Sequence, residues 1–319
     1  MRVLSILISL VISAAALLFA FHGVDMARLV ESLRAINYPS LILTIPLFVF
    51  VEFYLRAVRW KFLLPPSDKP ITKLYFHITA AGFLLNDLLP LRAGELLRAY
   101  WTHDKTKIAF SRCLAALFAD RVLDALVLFL LFLPFFHIKP GGPIFSPAFM
   151  MGTVFIFLSF VLLWIVAMFS EHWKNWAWTQ RIPRKLTSWL GEFLEGLSVL
   201  KNPRILFPTV ALAFASWLVV ALYVRMMAPL FSLHLNGMSS VWLMCTMQLA
   251  GLVPSAPANI GTQEAAGIAL LQWLGYCKTP ALSFVLVLHA AMWLGQAFWG
   301  FPAIWLADLH IKLSKKDES

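Results

Sequence analysis

Charge is scarce in this chain. Asp, Glu, Lys and Arg make up 13% of its 319 residues, while 61% are hydrophobic and mean hydropathy is +0.79. Soluble domains carry about 25% charged residues, so a water-facing globular protein is excluded. Long polar stretches are missing as well. The longest, Ser170 to Arg204, is too short for a soluble domain, which needs more than about 40 residues unless cross-links or metals support it. The three cysteines, Cys113, Cys245 and Cys277, lie far apart, which excludes a disulfide framework and a cysteine zinc site. The eight histidines form no HExxH and no closely spaced ligand set. No glycine-rich nucleotide motif and no Ser or Cys nucleophile beside a His can be read. No cofactor or metal is therefore expected.

What is present is apolar length. A helix crosses a bilayer with about 20 residues, and runs of that order occur at Val3 to Phe21, Leu41 to Leu63, Leu114 to Phe136, Phe149 to Phe169, Ile205 to Ala228 and Ala281 to Ala307. They are continuous rather than alternating, which favours helices over a barrel, and a helix satisfies its own backbone in lipid. The sequence predicts an all-α polytopic membrane protein with about six full spans. The first run has a longer apolar core than a signal peptide, usually about 7 to 15 residues, and lacks a small-x-small exit, so it is expected to stay as a helix.

The net charge of +10 reflects orientation rather than nucleic-acid binding. All but six of the 26 Lys and Arg fall at Arg2, 56–73, 92–112, 170–204 and 312–316, which are assigned to one side. Arg28, Arg34, Lys139, Arg225 and Lys278 fall on the other, and Arg121 inside a span. The positive-inside rule then makes both termini cytoplasmic.

Two further stretches, Leu74 to Leu97 and Val241 to Gly275, are apolar but broken by Pro, Gly and polar residues. "PLRAGE" at 90–95 and "PANIGTQE" at 257–264 both read Pro, three residues, Gly, with a Glu close behind. For each stretch to return to its side of entry it must be a re-entrant hairpin or a pair of half-helices. The Pro- and Gly-rich "HIKPGGPIFSP", 137–147, divides the chain. The expected organisation is a first half-repeat at 1–136, a non-cytoplasmic linker at 137–148 and a second half-repeat at 149–319. Three net crossings per half make the second half inverted. Paired broken segments in such repeats mark transporter binding sites.

Polar residues at membrane depth need compensation, because each charge costs about 2.5–3.5 kcal/mol on insertion scales. In "LAALFADRVLDALVLF", Asp120, Arg121 and Asp124 lie inside a span. The two Asp are four apart on one helix face, and Arg56, Arg59, Arg92 and Arg98 are the available cations. Such a cluster either staples helices together or forms a polar cavity for an anionic headgroup, and the two roles are compatible. Glu52 and Glu264 are candidate proton-coupling carboxylates, and Glu264 equally fits a cap on a half-helix starting near Gly261. His77, Gln248, His289 and Gln296 fit interhelical hydrogen bonding. From Trp173 to Leu200, Ile182, Leu186, Trp189, Leu190, Phe193, Leu194 and Leu197 recur at helical spacing among Arg181, Arg184 and Lys185, which predicts an interfacial amphipathic helix over 173–200 attracted to anionic lipid. Partner binding by the same face is the alternative.

"RAVRW", "NDLLPLRAGELLRA", "ADRVLDAL" and "PANIGTQEAA", in that order along nearly the whole chain, resemble the lysylphosphatidylglycerol synthase transmembrane-region family, stand-alone relatives of the flippase half of a bacterial lipid-modifying enzyme. Ala258 and Asn259 stand where the family commonly has glycine. The resemblance implies a lipid translocase of the bacterial inner membrane rather than an enzyme, since the soluble synthase domain is missing from this sequence. Its partners would be membrane lipids, whether anionic or aminoacylated phospholipid or a polyprenyl-linked lipid, with no nucleic acid, and a homo-oligomer is compatible. Candidate substrate-binding residues are Arg56, Arg59, Asn86, Arg92, Glu95, Arg98, Asp120, Arg121, Asp124, Asn259, Gln263 and Glu264. The arginines would hold phosphate, and the carboxylates would balance them or meet a cationic headgroup. The alternatives are a membrane-embedded enzyme acting on lipid-linked phosphates and a non-transporting scaffold of a lipid-synthesis complex.

Overall fold

The computed structural model describes residues 2–36, 38–65, 72–89, 93–135, 184–251, 253 and 255–309, with 158 and 162 as single helical positions. Among these residues every regular element is helical. Eleven α-helices run in chain order: α1 (Arg2–Phe21), α2 (Met26–Arg34), α3 (Tyr38–Leu63), α4 (Thr72–Leu88), α5 (Ala93–Thr106), α6 (Phe110–Phe132), α7 (Arg184–Leu197), α8 (Pro203–Met227), α9 (Gly237–Ala250), α10 (Thr262–Trp273) and α11 (Lys278–Leu306). The linker 137–148, the expected span 149–169 apart from those two positions, residues 173–183 of the amphipathic stretch, and Arg92 lie outside the described residues.

Among the described residues, three helical stretches are long and apolar enough to cross a membrane: Leu41–Leu63, Pro203–Phe231 and Lys278–Leu306. A fourth is the pair Ser9–Phe21 and Met26–Arg34, bent by 89°, if it counts as one span. The 23-residue α6 matches the expected span at 114–136 in length, but Asp120, Arg121 and Asp124 take it out of this group. The chain is thus a multi-pass, all-helical membrane protein. On α3, Leu43, Leu47, Phe50 and Tyr54 are exposed, and on α11, Leu294, Phe298, Phe301 and Trp305. Both sets follow i, i+4, i+7, i+11, a continuous apolar stripe facing outward, which water would oppose and lipid accepts.

The opposite stripes form the core. α3 buries Ile45, Val49, Phe53, Ala57 and Trp60, and packs on α4, α8 and α11. A Cβ on Gly295 would stand 2.6 Å from Val49 Cγ2, and one on Gly300 2.6 Å from Leu84 Cβ. Small residues let apolar helices approach where lipid supplies no hydrophobic drive between them.

The sequence did not suggest α2. It is nine residues long and starts at Asp25, whose carboxylate accepts the N–H groups of Ala27 and Arg28, after a turn in which Gly23 has φ +67°. The amphipathic helix is α7. It packs on α6 through Phe193 against Phe118, Ser111 to Glu192 and Arg112 to Glu195 at 2.7 Å, leaving Leu186 and Trp189 exposed.

Candidate functional site

Both broken stretches fold as antiparallel helix pairs. In the first, α4 and α5 flank the break. A Cβ on Gly82 would meet Arg98 Cβ at 3.2 Å, and one on Gly94 would lie 2.2 Å from Gly82 O and 2.6 Å from Asn86 N. Only glycine lets the two backbones come so close at residue 94. Asn86 Oδ1 then accepts the Glu95 N–H at 2.9 Å, satisfying one donor in the first turn of α5. In the second pair, α9 and α10 meet with Gly251 beside Asn259 and Gln263, and Gly267 beside Met247. Ser13 of α1 accepts the Ala256 N–H at 2.7 Å, so α1 braces this second break.

The break itself is left-handed. Ala258 and Asn259 have φ +57° and +56°, and Gly261 has φ +95°. Asn tolerates this region, whereas Ala carries a steric penalty of about 1–2 kcal/mol there. Glycine adopts this conformation without penalty, and this chain keeps it at 258 and 259 without glycine. Glu264 stabilises the turn that follows, since its Oε2 accepts the Gly261 N–H at 2.6 Å.

The first cluster of charges is built around α6. Asp120 meets Arg59 Nη2 at 2.7 Å, Arg98 Nη1 at 2.9 Å and Arg121 Nη2 at 3.0 Å. Asp124 meets Arg59 Nη1 at 2.7 Å and Arg56 Nη1 at 3.1 Å, and accepts the Trp217 Nε1–H at 3.1 Å. Arg56 also holds Glu52 at 2.9 Å, and Arg121 reaches Glu95 at 3.5 Å. Arg56, Arg59, Arg98 and Arg121 thus face Glu52, Glu95, Asp120 and Asp124, and the cluster is electrically neutral. Aromatic rings wrap it: Trp217 and Phe83 lie 4.5 and 5.0 Å from the Arg56 guanidinium, and Trp60 3.9 Å from that of Arg98.

Three of these arginines are closed to a ligand in this arrangement. Arg56, Arg59 and Arg98 are at most 2% exposed; each is paired with a carboxylate, although Arg59 Nε and Arg98 Nε and Nη2 are buried without a hydrogen-bond partner among the described residues. Arg121, with a side chain 28% exposed, and Glu95, at 16%, form the open edge. Glu52, read as an isolated carboxylate, is partnered by Arg56.

The second cluster forms where the hairpins meet. The Pro257–Asn259 turn packs on α4. Glu264 Oε1 lies 2.5 Å from His289 Nδ1 on α11. The Asp87 carboxylate of α4 is near enough to act on the same ring electrostatically. His289 does form an interhelical bond. His77, by contrast, has both ring nitrogens buried with no hydrogen-bond partner, as does Gln296 Oε1. Sequence patterns had not put His289 or Asp87 in a site. The one signal was a polar residue facing a break.

Similar chains include a UPF0104 membrane protein of Methanocaldococcus jannaschii, 21% identical over 241 residues, covering 73% of this chain and 98% of the relative. Another UPF0104 membrane protein, from Methanothermobacter thermautotrophicus, is 22% identical over 328 residues, covering 95% of this chain and 94% of the relative. No solved structure matches. Residues 6–300, which contain both hairpins and both clusters, match the lysylphosphatidylglycerol synthase TM region, and the chain belongs to that family.

Proposed function

We propose that this protein is a lipid translocase that moves a phospholipid or lipid-linked headgroup between membrane leaflets, without altering it chemically. The observation that carries this reading is the meeting of two broken helix pairs. Irregular backbone at membrane depth is tolerated only inside protein or beside a wet cavity, and here the break of one pair rests on a helix of the other beside Asp87, Glu264 and His289. Opposed broken segments that part in turn would give a headgroup a polar path while acyl tails stay in the bilayer.

In this scheme the chain has six full spans, counting α1, α6 and the run 149–169, arranged as an inverted repeat in the cytoplasmic membrane of a bacterium with both termini cytoplasmic. The neutral cluster on α6 holds the first hairpin to α3 and α8. Headgroup phosphate would contact the open edge at Arg121, a cationic headgroup would contact Glu95, and Arg92, outside the described residues, is a further candidate for phosphate from the sequence alone. Asn86, Asn259 and Gln263 would line the path at the breaks. Arg56, Arg59, Arg98, Asp120 and Asp124 would fix that edge in place rather than touch lipid.

Purified protein in liposomes containing fluorescent phospholipid tests the proposal. Leaflet exchange without headgroup modification is the expected result, and Glu264→Gln is expected to slow it strongly at normal expression. Altered headgroup chemistry would indicate an enzyme acting on lipid-linked phosphates. Neither effect would indicate a scaffold.

A further inference from the structure

We propose that the open edge takes a net-neutral headgroup with one phosphate and one ammonium a short link apart, as in an ethanolamine phospholipid, and that Arg121 and Glu95 part to receive its two ends. Their pairing is the longest contact in the cluster. Arg121 Nη1 stands 3.5 Å from Glu95, whereas Arg56, Arg59 and Arg98 meet their carboxylates at 2.7–3.1 Å. A charge-assisted N–H···O bond measures about 2.7–2.9 Å, so Arg121 and Glu95 attract without a formed hydrogen bond. Arg121 Nε is also buried with no hydrogen-bond partner among the described residues. The pair thus has a donor left unsatisfied, which an acceptor from outside would relieve.

The cluster can lend these two groups without coming apart. When Arg121 turns outward, Asp120 keeps Arg59 and Arg98, and Asp124 keeps Arg56 and Arg59. Phosphate then gives Arg121 an acceptor in place of Glu95, and ammonium gives Glu95 donors in place of Arg121. Charge balance selects the class of headgroup. Among the described residues the cluster holds as many carboxylates as guanidinium groups, so a phosphate that brings its own ammonium keeps it neutral. A glycerol headgroup would bring an anion without a counter-ion, and a headgroup with a second ammonium would bring an excess cation. Either is costly at membrane depth. Arg92, outside the described residues, does not enter this count.

The surroundings favour a lipid over a free phosphodiester. Phe118 precedes Arg121 by one turn of α6, and Leu96 follows Glu95 on α5. Both are exposed, so apolar surface adjoins each of the two charges, as acyl tails beside a headgroup require. The ring of Phe83 lies 5.7 Å from the Arg121 guanidinium, which leaves the cation an attractive wall on the protein side when Glu95 withdraws.

The role of this headgroup in transport rests on the translocase reading, whereas its binding does not. Phosphatidylethanolamine and phosphatidylglycerol with identical tails, offered together to the full chain in detergent and counted on the protein by native mass spectrometry, test the binding. Wild type is expected to prefer phosphatidylethanolamine by about five-fold, the ratio that a partly exposed ion pair gives. Glu95→Gln, which keeps size but leaves the cluster with an excess cation, is expected to lose that preference or reverse it. Equal binding in wild type, a preference for phosphatidylglycerol, or a preference that survives in Glu95→Gln would overturn the proposal. Should Glu95→Gln not fold, the wild-type ratio and Glu95→Ala decide. Glycerophosphoethanolamine, the same headgroup without tails, is expected to displace the lipid poorly. Displacement at equal amounts would reassign the site to a free phosphodiester. Leaflet exchange of the two lipids, each labelled on a tail, separates the two ideas. Exchange of both at one rate with equal binding removes the headgroup assignment and leaves the translocase. Preferential binding with exchange of neither retains the headgroup assignment and removes the translocase.

Discussion

Asp120 is the residue on which most depends, because three guanidinium groups converge on its carboxylate within 3.0 Å. Removing one member of a buried charge set leaves the others uncompensated, at about 3–5 kcal/mol. Asp120→Ala should therefore lower thermal stability and yield in detergent by an amount in that range. Arg112→Ala removes an equally short pair at the surface, where side chains are 38% and 51% exposed. It should cost no more than about 1 kcal/mol, and melting of the two variants side by side checks the contrast. Ala258→Gly acts in the other direction. Relief of a left-handed Ala, partly offset by the entropy of a glycine in the unfolded chain, should raise stability by about 0.5–1 kcal/mol in the same assay. The acidic cluster was legible because two Asp at i, i+4 in an apolar run demand cations, and arginines were in the sequence nearby. Which arginine served which Asp was not legible, and neither was the pairing of Glu52. The Glu264–His289 contact had no local signature at all, since the partners lie on different helices.

At the scale of elements, the breaks were readable from Pro and Gly because those residues cannot continue a helix in lipid without help from neighbours. The antiparallel closure of α4 on α5 follows from Gly94. A methyl group there would collide with two backbone atoms of α4, so Gly94→Ala should destabilise by about 1–3 kcal/mol and increase protease access to the α4–α5 break, seen by limited digestion in nanodiscs. The helix α2 escaped the sequence because its nine residues are too few for a span, and its cue was a single Asp cap after a turn. The charged stretch of α6 illustrates the opposite limit. Its apolar length reads as a span in the sequence and its three charges count against one, while those charges pair with one another and with arginines inside the protein.

For the whole molecule, the two broken pairs form one structure rather than two independent halves. Trp217 of α8 bonds Asp124 of α6, and the turn before α10 packs on α4. The orientation assigned from charge makes a direct prediction: cysteines introduced at 137–147 should label with an impermeant reagent from outside, and those at 174–200 from the cytoplasm alone. Labelling of both from one side would remove the inverted repeat. The central claim is that the hairpins must part for lipid to pass. The direct measurement joins them. With native cysteines replaced, Leu88→Cys at the end of α4 and Asn259→Cys on the opposing turn are bridged by a cleavable bifunctional thiol reagent, and leaflet exchange is followed in liposomes before and after cleavage. Exchange should stop in the cross-linked protein and return on cleavage. Exchange continuing at an undiminished rate in fully cross-linked protein would contradict the account.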